Sequence, residues 1–311
     1  MRFLHMAHVD KPKFLVDFDG VWTELSGQAR AVDEAREQGL ARITEWPLRE
    51  IRLVMAQVQA ELDLHPAAHG WRDHGRITAF SDEDPFLTHN SLCAAIQILA
   101  EEGHPRCLHL YEALRKGGYE NTNELGSELF HEGSAAYLKA SGHALLPEAV
   151  DSLSALLRVA DVVFCSNFST DAIAATWRRY GFSAGQTPWG GRLTLRGNAQ
   201  KHVLTGDPGT CEAYNGRSTA VDRGHYLAIL EEERPDVVVG DVFSLDLALP
   251  LVLKRSKPHF KNMVCLLKIT RYTPPWSLEL CRGGAGDGLF SIHSPSELAT
   301  CATTLPKEGG R

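Results

Sequence analysis

Two aspartates one residue apart close a short apolar run and precede a glycine, in Lys13-Phe14-Leu15-Val16-Asp17-Phe18-Asp19-Gly20-Val21-Trp22-Thr23. If Phe14 to Val16 form a buried strand, Asp17 and Asp19 leave its C-terminal end on the same side, because strand side chains alternate with period two. Converging carboxylates repel unless a cation or a proton sits between them. The spacing therefore points to a metal site with acid chemistry rather than a structural turn. Two further apolar runs end in groups suited to the same task. Asp161-Val162-Val163-Phe164-Cys165 is followed by Ser166 and Asn167. Asp236-Val237-Val238-Val239 is followed by Gly240, Asp241 and, across a short loop, Asp246. Carboxylates, a hydroxyl and an amide gathered at three strand ends suit one job, holding Mg2+ and a phosphoryl group together. Mg2+ prefers carboxylate oxygens and water in an octahedral shell.

The elements that must position these groups follow from periodicity. Residues from about 25 to 142 carry helical spacing, clearest in Ile51–Val58, Leu92–Leu99, Leu108–Leu114 and Leu125–Leu138. The stretch His65–Pro85 is rich in His, Gly, Asp and Pro and reads as loop, with Trp71, Arg72 and Arg76 as surface residues. From Leu146 the rhythm becomes strand and helix in alternation. Helices are expected over Glu148–Leu157, Ser169–Tyr180, His225–Glu233 and from Pro295, the last capped by Ser294. Strands are expected at Asp161–Cys165, Asp236–Val239, Met263–Ile269 and Leu289–Ile292, with strand pieces between 186 and 203. This order predicts an α/β fold, a Rossmann-like parallel sheet with right-handed crossovers. Ligands then bind at the carboxyl ends of the strands, where the residues above stand. The tail, Lys307–Arg311, is expected to fray.

Bulk properties bound the function. The chain has 311 residues, 43% hydrophobic and 23% charged, which allows a large core and two domains. A net charge of −7 argues against a nucleic-acid binder. The seven cysteines are scattered, with no Cys-x-x-Cys pair, so neither a disulfide framework nor a zinc ribbon is expected and a reducing cytoplasm fits. No signal peptide or membrane span is read from the sequence, and no membrane partner is expected.

With these motifs in hand, the chain resembles the haloacid dehalogenase-like (HAD) hydrolase superfamily. The first motif stands as Asp17-Phe18-Asp19-Gly20-Val21, the second as Ser166, and the fourth as Gly240-Asp241-Val242-Phe243-Ser244-Leu245-Asp246. The resemblance covers residues 10–24 and 145–305. It implies a core of residues 1–24 and 145–311 and an inserted all-helical cap of residues 25–144. It also implies roles. Asp17 would attack phosphorus and form an aspartyl-phosphate, and Asp19 would protonate the leaving group and later deprotonate water. Asp17, the Asp19 backbone carbonyl and Asp241 would bind Mg2+, with Asp246 as a ligand or just behind one. Ser166, Asn167 and Gly20 would contact the phosphoryl group. The third motif needs a Lys or Arg, and two residues compete for it, Lys201 and Arg223.

The activity this implies is Mg2+-dependent hydrolysis of a small phosphorylated metabolite. Asp19 favours phosphoryl transfer over carbon–halogen cleavage, because only an alkoxide leaving group needs a proton. The alternatives are a phosphotransferase or sugar-phosphate mutase, a 2-haloacid dehalogenase suggested by Ser166-Asn167, and a non-catalytic binding protein with the same fold.

Overall fold

The structure, a computed structural model, describes residues 11–206, 210–283 and 288–304. The predicted frayed tail at Lys307–Arg311 lies outside the described residues, as do residues 1–10. Among the described residues, a seven-stranded sheet runs through the centre in the order β11-β10-β9-β1-β4-β6-β5. Its strands are β1 (Lys13–Val16), β4 (Asp161–Cys165), β5 (Gly185–Gln186), β6 (Arg192–Arg196), β9 (Val237–Gly240), β10 (Val264–Lys268) and β11 (Leu289–Ile292). All neighbours pair in parallel except β5 with β6.

The central strands read as continuous apolar runs because both faces are covered. On one face Leu15, Val163, Val238 and Cys265 pack with residues of α8 (Gly224–Glu233) and α9 (Ala248–Ser256). On the other, Phe14, Val16, Val162 and Phe164 pack with α6 (Ala149–Val159) and α7 (Thr170–Arg178). An aromatic group of Phe18, Trp22, Phe164 and Trp177 sits under the first motif, with ring centroids 5.4–6.4 Å apart. Trp22 is thus a core residue. The last helices are α10 (Pro275–Gly283) and α11 (Leu298–Thr304). Before α11, Ser294 and Glu297 form a reciprocal capping box over a short 3-10 turn. No helix of the described residues is long and apolar enough to cross a membrane.

Between Thr23 and Leu145, which pair antiparallel where the chain leaves and returns, lies the insert. It comprises α1 (Ser26–Thr44), α2 (Leu48–Leu64), α3 (Pro85–Glu101), α4 (Pro105–Lys116) and α5 (Thr122–Ser141). The helices bury a cluster of their own that includes Leu40, Val58, Ile96, Leu110 and Leu129. The insert is not all helical, which corrects one expectation. The expected loop at His65–Pro85 holds a hairpin, β2 (Gly70–Asp73) and β3 (Arg76–Phe80). Its tip, His74-Gly75, takes φ of 47° and 73°, which a glycine adopts without strain.

The hairpin owes its stability to the core rather than to its own pattern. Phe80 packs in the core cluster with Trp276. Arg76 makes a two-pronged ion pair with Asp222 at 2.8 and 2.7 Å, and Trp71 stacks on His202 at 4.4 Å. Arg72 is tied to the carbonyls of Ala68 and Gly75. All three are half-buried, and Trp71 and Arg76 are held by residues distant in the chain rather than left to solvent as the sequence suggests. A second hairpin, β7 (Cys211–Tyr214) and β8 (Arg217–Ala220), lies beside β3, where Thr219 donates to the Thr78 carbonyl at 3.1 Å.

Candidate active site

The parallel register brings the motif residues to one edge. Val16 is level with Phe164 on one side and Val239 on the other, so Asp17, Cys165-Ser166 and Gly240-Asp241 emerge from three adjacent strands. The Asp17 N–H still donates to the Val239 carbonyl at 2.9 Å, which fixes where its side chain starts. After β9 the chain enters a π-helical turn, Phe243–Leu247, which swings Asp246 back over the strand end. Gly240 is required there, because a Cβ would lie 2.2 Å from that of Asp246. Gly20 is required for the same reason. It takes φ of 67°, and a Cβ would sit 1.7 Å from Asp241 Oδ2.

Among the described residues, Asp17, Asp241 and Asp246 can each offer a carboxylate oxygen within 4.8 Å of the others. Lys201 lies between two of them. Its Nζ donates to Asp17 Oδ1 and to Asp246 Oδ1, both at 2.7 Å. Burial alone would lower the Lys201 ammonium, but Asp17 and Asp246 more than offset it and hold the group well above its usual range. The turn that delivers Lys201 explains its position. Gly197 approaches the Ser169-Thr170 backbone too closely for a side chain, and Asn198 and Gln200 take left-handed φ of 54° and 47°. Asn167 Oδ1 then accepts the Lys201 N–H at 2.8 Å, so Asn167 positions Lys201.

Arg223 stands elsewhere. Its guanidinium donates to the carbonyls of Ala220, Ser244, Leu245 and Thr78 and makes no ion pair among the described residues. It pins the loop that carries Asp246 to the hairpin. Of the two third-motif residues, the structure brings Lys201 to the carboxylates and leaves Arg223 outside them. Ser166 is buried at the strand end, where its Oγ accepts from the Phe168 N–H at 3.1 Å. Its own hydroxyl proton stays available as a donor. Asp246 accepts through both oxygens, from Lys201 and from the Val242 N–H at 3.1 Å.

The carboxylates respond to burial and crowding. Burial first, then the charge of Asp246, raises Asp17 to about 6 despite Lys201, so it is ionised at neutral pH. Asp19 is pushed well above the usual carboxylate range, first by burial and then by Asp17 and Asp84. Thr23 Oγ1 faces Asp19 Oδ1 at 3.4 Å and itself accepts the Gly20 N–H at 3.1 Å. Asp241 is likewise pushed well above that range, by burial and then by Asp84 and Asp246. An all-oxygen donor set with this excess of buried negative charge fits a hard divalent cation such as Mg2+. The Asp19 carbonyl also accepts the Val21 N–H at 2.7 Å.

Two functional candidates escaped the sequence reading, and both come from the insert. Asp84 caps α3 by accepting the Phe86 N–H at 2.7 Å, yet its charge also acts on Asp19 and Asp241, and Asp17 and Asp246 act on it in turn. Burial raises it to about 7. Glu83 accepts the N–H groups of Ser244 at 2.8 Å and Phe80 at 2.9 Å, joining the Asp246 loop to the hairpin. The Asp84-Pro85 pair signals a helix start, but nothing local says what that start faces.

A comparison with protein-family models gives no match, and neither does one with curated proteins. Solved structures do align. YfnB from Bacillus subtilis, assigned as a HAD-hydrolase and bound to magnesium, shares 13% identity, with 94% of this chain and 99% of that one covered and a TM-score of 0.40. A 2-haloacid dehalogenase from Pseudomonas syringae pv. tomato DC3000 shares 14%, covering 94% and 98%, with a TM-score of 0.39. A haloacid dehalogenase-like family hydrolase from Xanthomonas campestris shares 11%, covering 95% and 96%, with a TM-score of 0.43.

Proposed function

We propose that this chain is a hydrolase of the haloacid dehalogenase-like superfamily, a Mg2+-dependent phosphatase acting on a small phosphorylated metabolite. The observation that carries this reading is the convergence of Asp17, Asp241 and Asp246 around Lys201 at the ends of parallel strands. Asp17 is the nucleophile. It is ionised at neutral pH, and Lys201 fixes its carboxylate. An Asp17 oxygen bonds to phosphorus while the bond from phosphorus to the leaving oxygen breaks. Asp19, whose carboxyl is pushed up by burial and by Asp17, gives its proton to that oxygen. As a carboxylate it then takes a proton from water, which attacks phosphorus and frees Asp17 and inorganic phosphate.

Ser166 and Lys201 hold the non-reacting phosphoryl oxygens. Asp17 and Asp241 would hold Mg2+, and Asp246 would serve mainly to anchor Lys201. When bound there, the ion would supply charge stabilisation for the phosphoryl oxygens and screen them from Asp17. The insert is a cap that sets specificity and excludes water, with Asp84 as its contribution to the site. The unpaired state of all seven cysteines suits a reducing cytoplasm.

Asp19 supports a phosphatase over a dehalogenase, because it is a half-buried acid beside the nucleophile that halide departure does not need. A panel of small phosphomonoesters assayed with Mg2+ tests the reading. Phosphate release by the wild type should fall by about a thousandfold or more in Asp17→Asn. Release of chloride from 2-chloropropionate, with no phosphate from any ester, would overturn it.

A further inference from the structure

Beside Asp241 stands a cation that the proposed chemistry does not use. Gly240 is level with Leu267 in the sheet, so the next residues, Asp241 and Lys268, end neighbouring strands. Lys268 is 6% exposed. Its Nζ donates to the Ile269 carbonyl at 2.8 Å, and no carboxylate among the described residues comes within 4.0 Å of it. A buried ammonium with one carbonyl partner is costly, and burial lowers its pKa. Such a group is stabilised by an anion that enters from solvent.

There is room for one. A cavity of about 240 Å³ is lined by Gly20, Thr23, Lys268, Thr270, Arg271 and Tyr272. Its inner end touches the reaction centre, since Thr23 bridges to Asp19 and Gly20 backs on Asp241. At its mouth the exposed Arg271 lies 4.8 Å over the Tyr272 ring, a cation–π contact that steadies it. Glu24 also lines the cavity, but its carboxylate is taken up by the N–H and hydroxyl of Ser26.

We propose that this cavity holds the non-reacting end of the substrate, and that this end carries a second anionic group, a carboxylate or a phosphate, bound by Lys268 with Arg271 at the mouth. The inference rests on the phosphatase reading and narrows it. Asp241 and Lys268 end neighbouring strands, so only a few carbons separate the two charges.

Steady-state kinetics on three short esters test it: 3-phosphoglycerate, propane-1,3-diol bisphosphate and, without a second charge, glycerol 3-phosphate. The wild type should favour one of the two charged esters over glycerol 3-phosphate by about tenfold or more in kcat/KM, and which one tells carboxylate from phosphate. Lys268→Met should remove about tenfold of that preference, mainly through KM. Lys268→Arg should keep most of it. Arg271→Gln, a change at an exposed residue, should cost about threefold. A wild type that turns over glycerol 3-phosphate with no preference for either charged ester overturns this inference alone. So does an equal loss on all three esters in Lys268→Met that Lys268→Arg repairs, because Lys268 then serves the reacting phosphoryl group. A wild type that hydrolyses none of the three, nor any other phosphoester, removes the phosphatase reading and this inference with it.

Discussion

Two cations are buried to nearly the same degree in this molecule, Lys201 at 2% exposed and Arg223 at 1%, and their surroundings differ in kind. Lys201 meets two carboxylates at the strand ends. Arg223 meets four backbone carbonyls where α8, the Asp246 loop and the hairpin join. The first arrangement puts a fixed positive charge among several negative ones, as the proposed chemistry requires. The second satisfies carbonyls that have no ladder partner, which is architecture. Even the pKa shifts diverge. Ion pairing lifts Lys201, while burial draws Arg223 down to about 10, still charged at neutral pH. A planar guanidinium with five donors suits several carbonyls, and a compact ammonium suits two converging carboxylates.

The largest effect should come from Lys201→Met. Turnover of a phosphoester should fall by about a thousandfold or more, because Asp17 and Asp246 lose their shared cation. The folded protein should persist, since added protons or Mg2+ can neutralise the carboxylates. Arg223→Met should do the reverse, lowering unfolding stability by about 3 kcal/mol through the carbonyls left unpaired. Its remaining folded fraction should keep most of its turnover. Urea unfolding and kcat measured on both variants decide the matter. A stable Arg223→Met protein without turnover would invert the comparison.

A smaller effect separates the two regions by pH. Asp17 rises to about 6, and Asp84 and Glu83 to about 7, from unfolded values near 4. Between those limits the folded state binds more protons than the unfolded state. Stability of the metal-free protein from these groups is therefore lost as pH rises from about 4 towards 7. On the proposed reading Mg2+ would bind the ionised form, so its stabilisation should grow across the same window, reaching about 1–3 kcal/mol near pH 7.5 at saturating metal. Thermal melts with and without Mg2+ at several pH values read this directly. Lys201→Met should shift the profile more than Arg223→Met, because Lys201 pairs directly with Asp17 while Arg223 bonds carbonyls and meets Glu83 only through its field. A Mg2+ effect that shrinks as pH rises would show that the carboxylate cluster is not the metal site.

The core strands were legible because each is a run of apolar residues buried on both faces, as in Val237–Val239. Asp17, Ser166 and Asp241 were legible for a related reason. A residue just past such a run has a fixed place at the sheet's carboxyl edge. The two hairpins were not legible. Arg76-Ile77-Thr78-Ala79-Phe80 carries little pattern of its own and is held by Asp222, Arg223 and Trp276, which lie far along the chain. Asp84 looked like a helix cap and is one, and only folding shows that the same carboxylate bears on the strand-end acids.

By itself the sequence determined the alternation of elements, the sheet edge where the acids gather and the distinct positions of Asp17 and Asp19, since all three follow from short-range periodicity. The tertiary structure decided which cation joins the acids, that the insert carries a strand pair and a fifth acid to the site, and that Lys268 is buried with no carboxylate among the described residues in ion-pair contact. Those outcomes depend on contacts between residues distant in the chain, and neither the turn at Gly197–Gln200 nor the end of β10 encodes them locally.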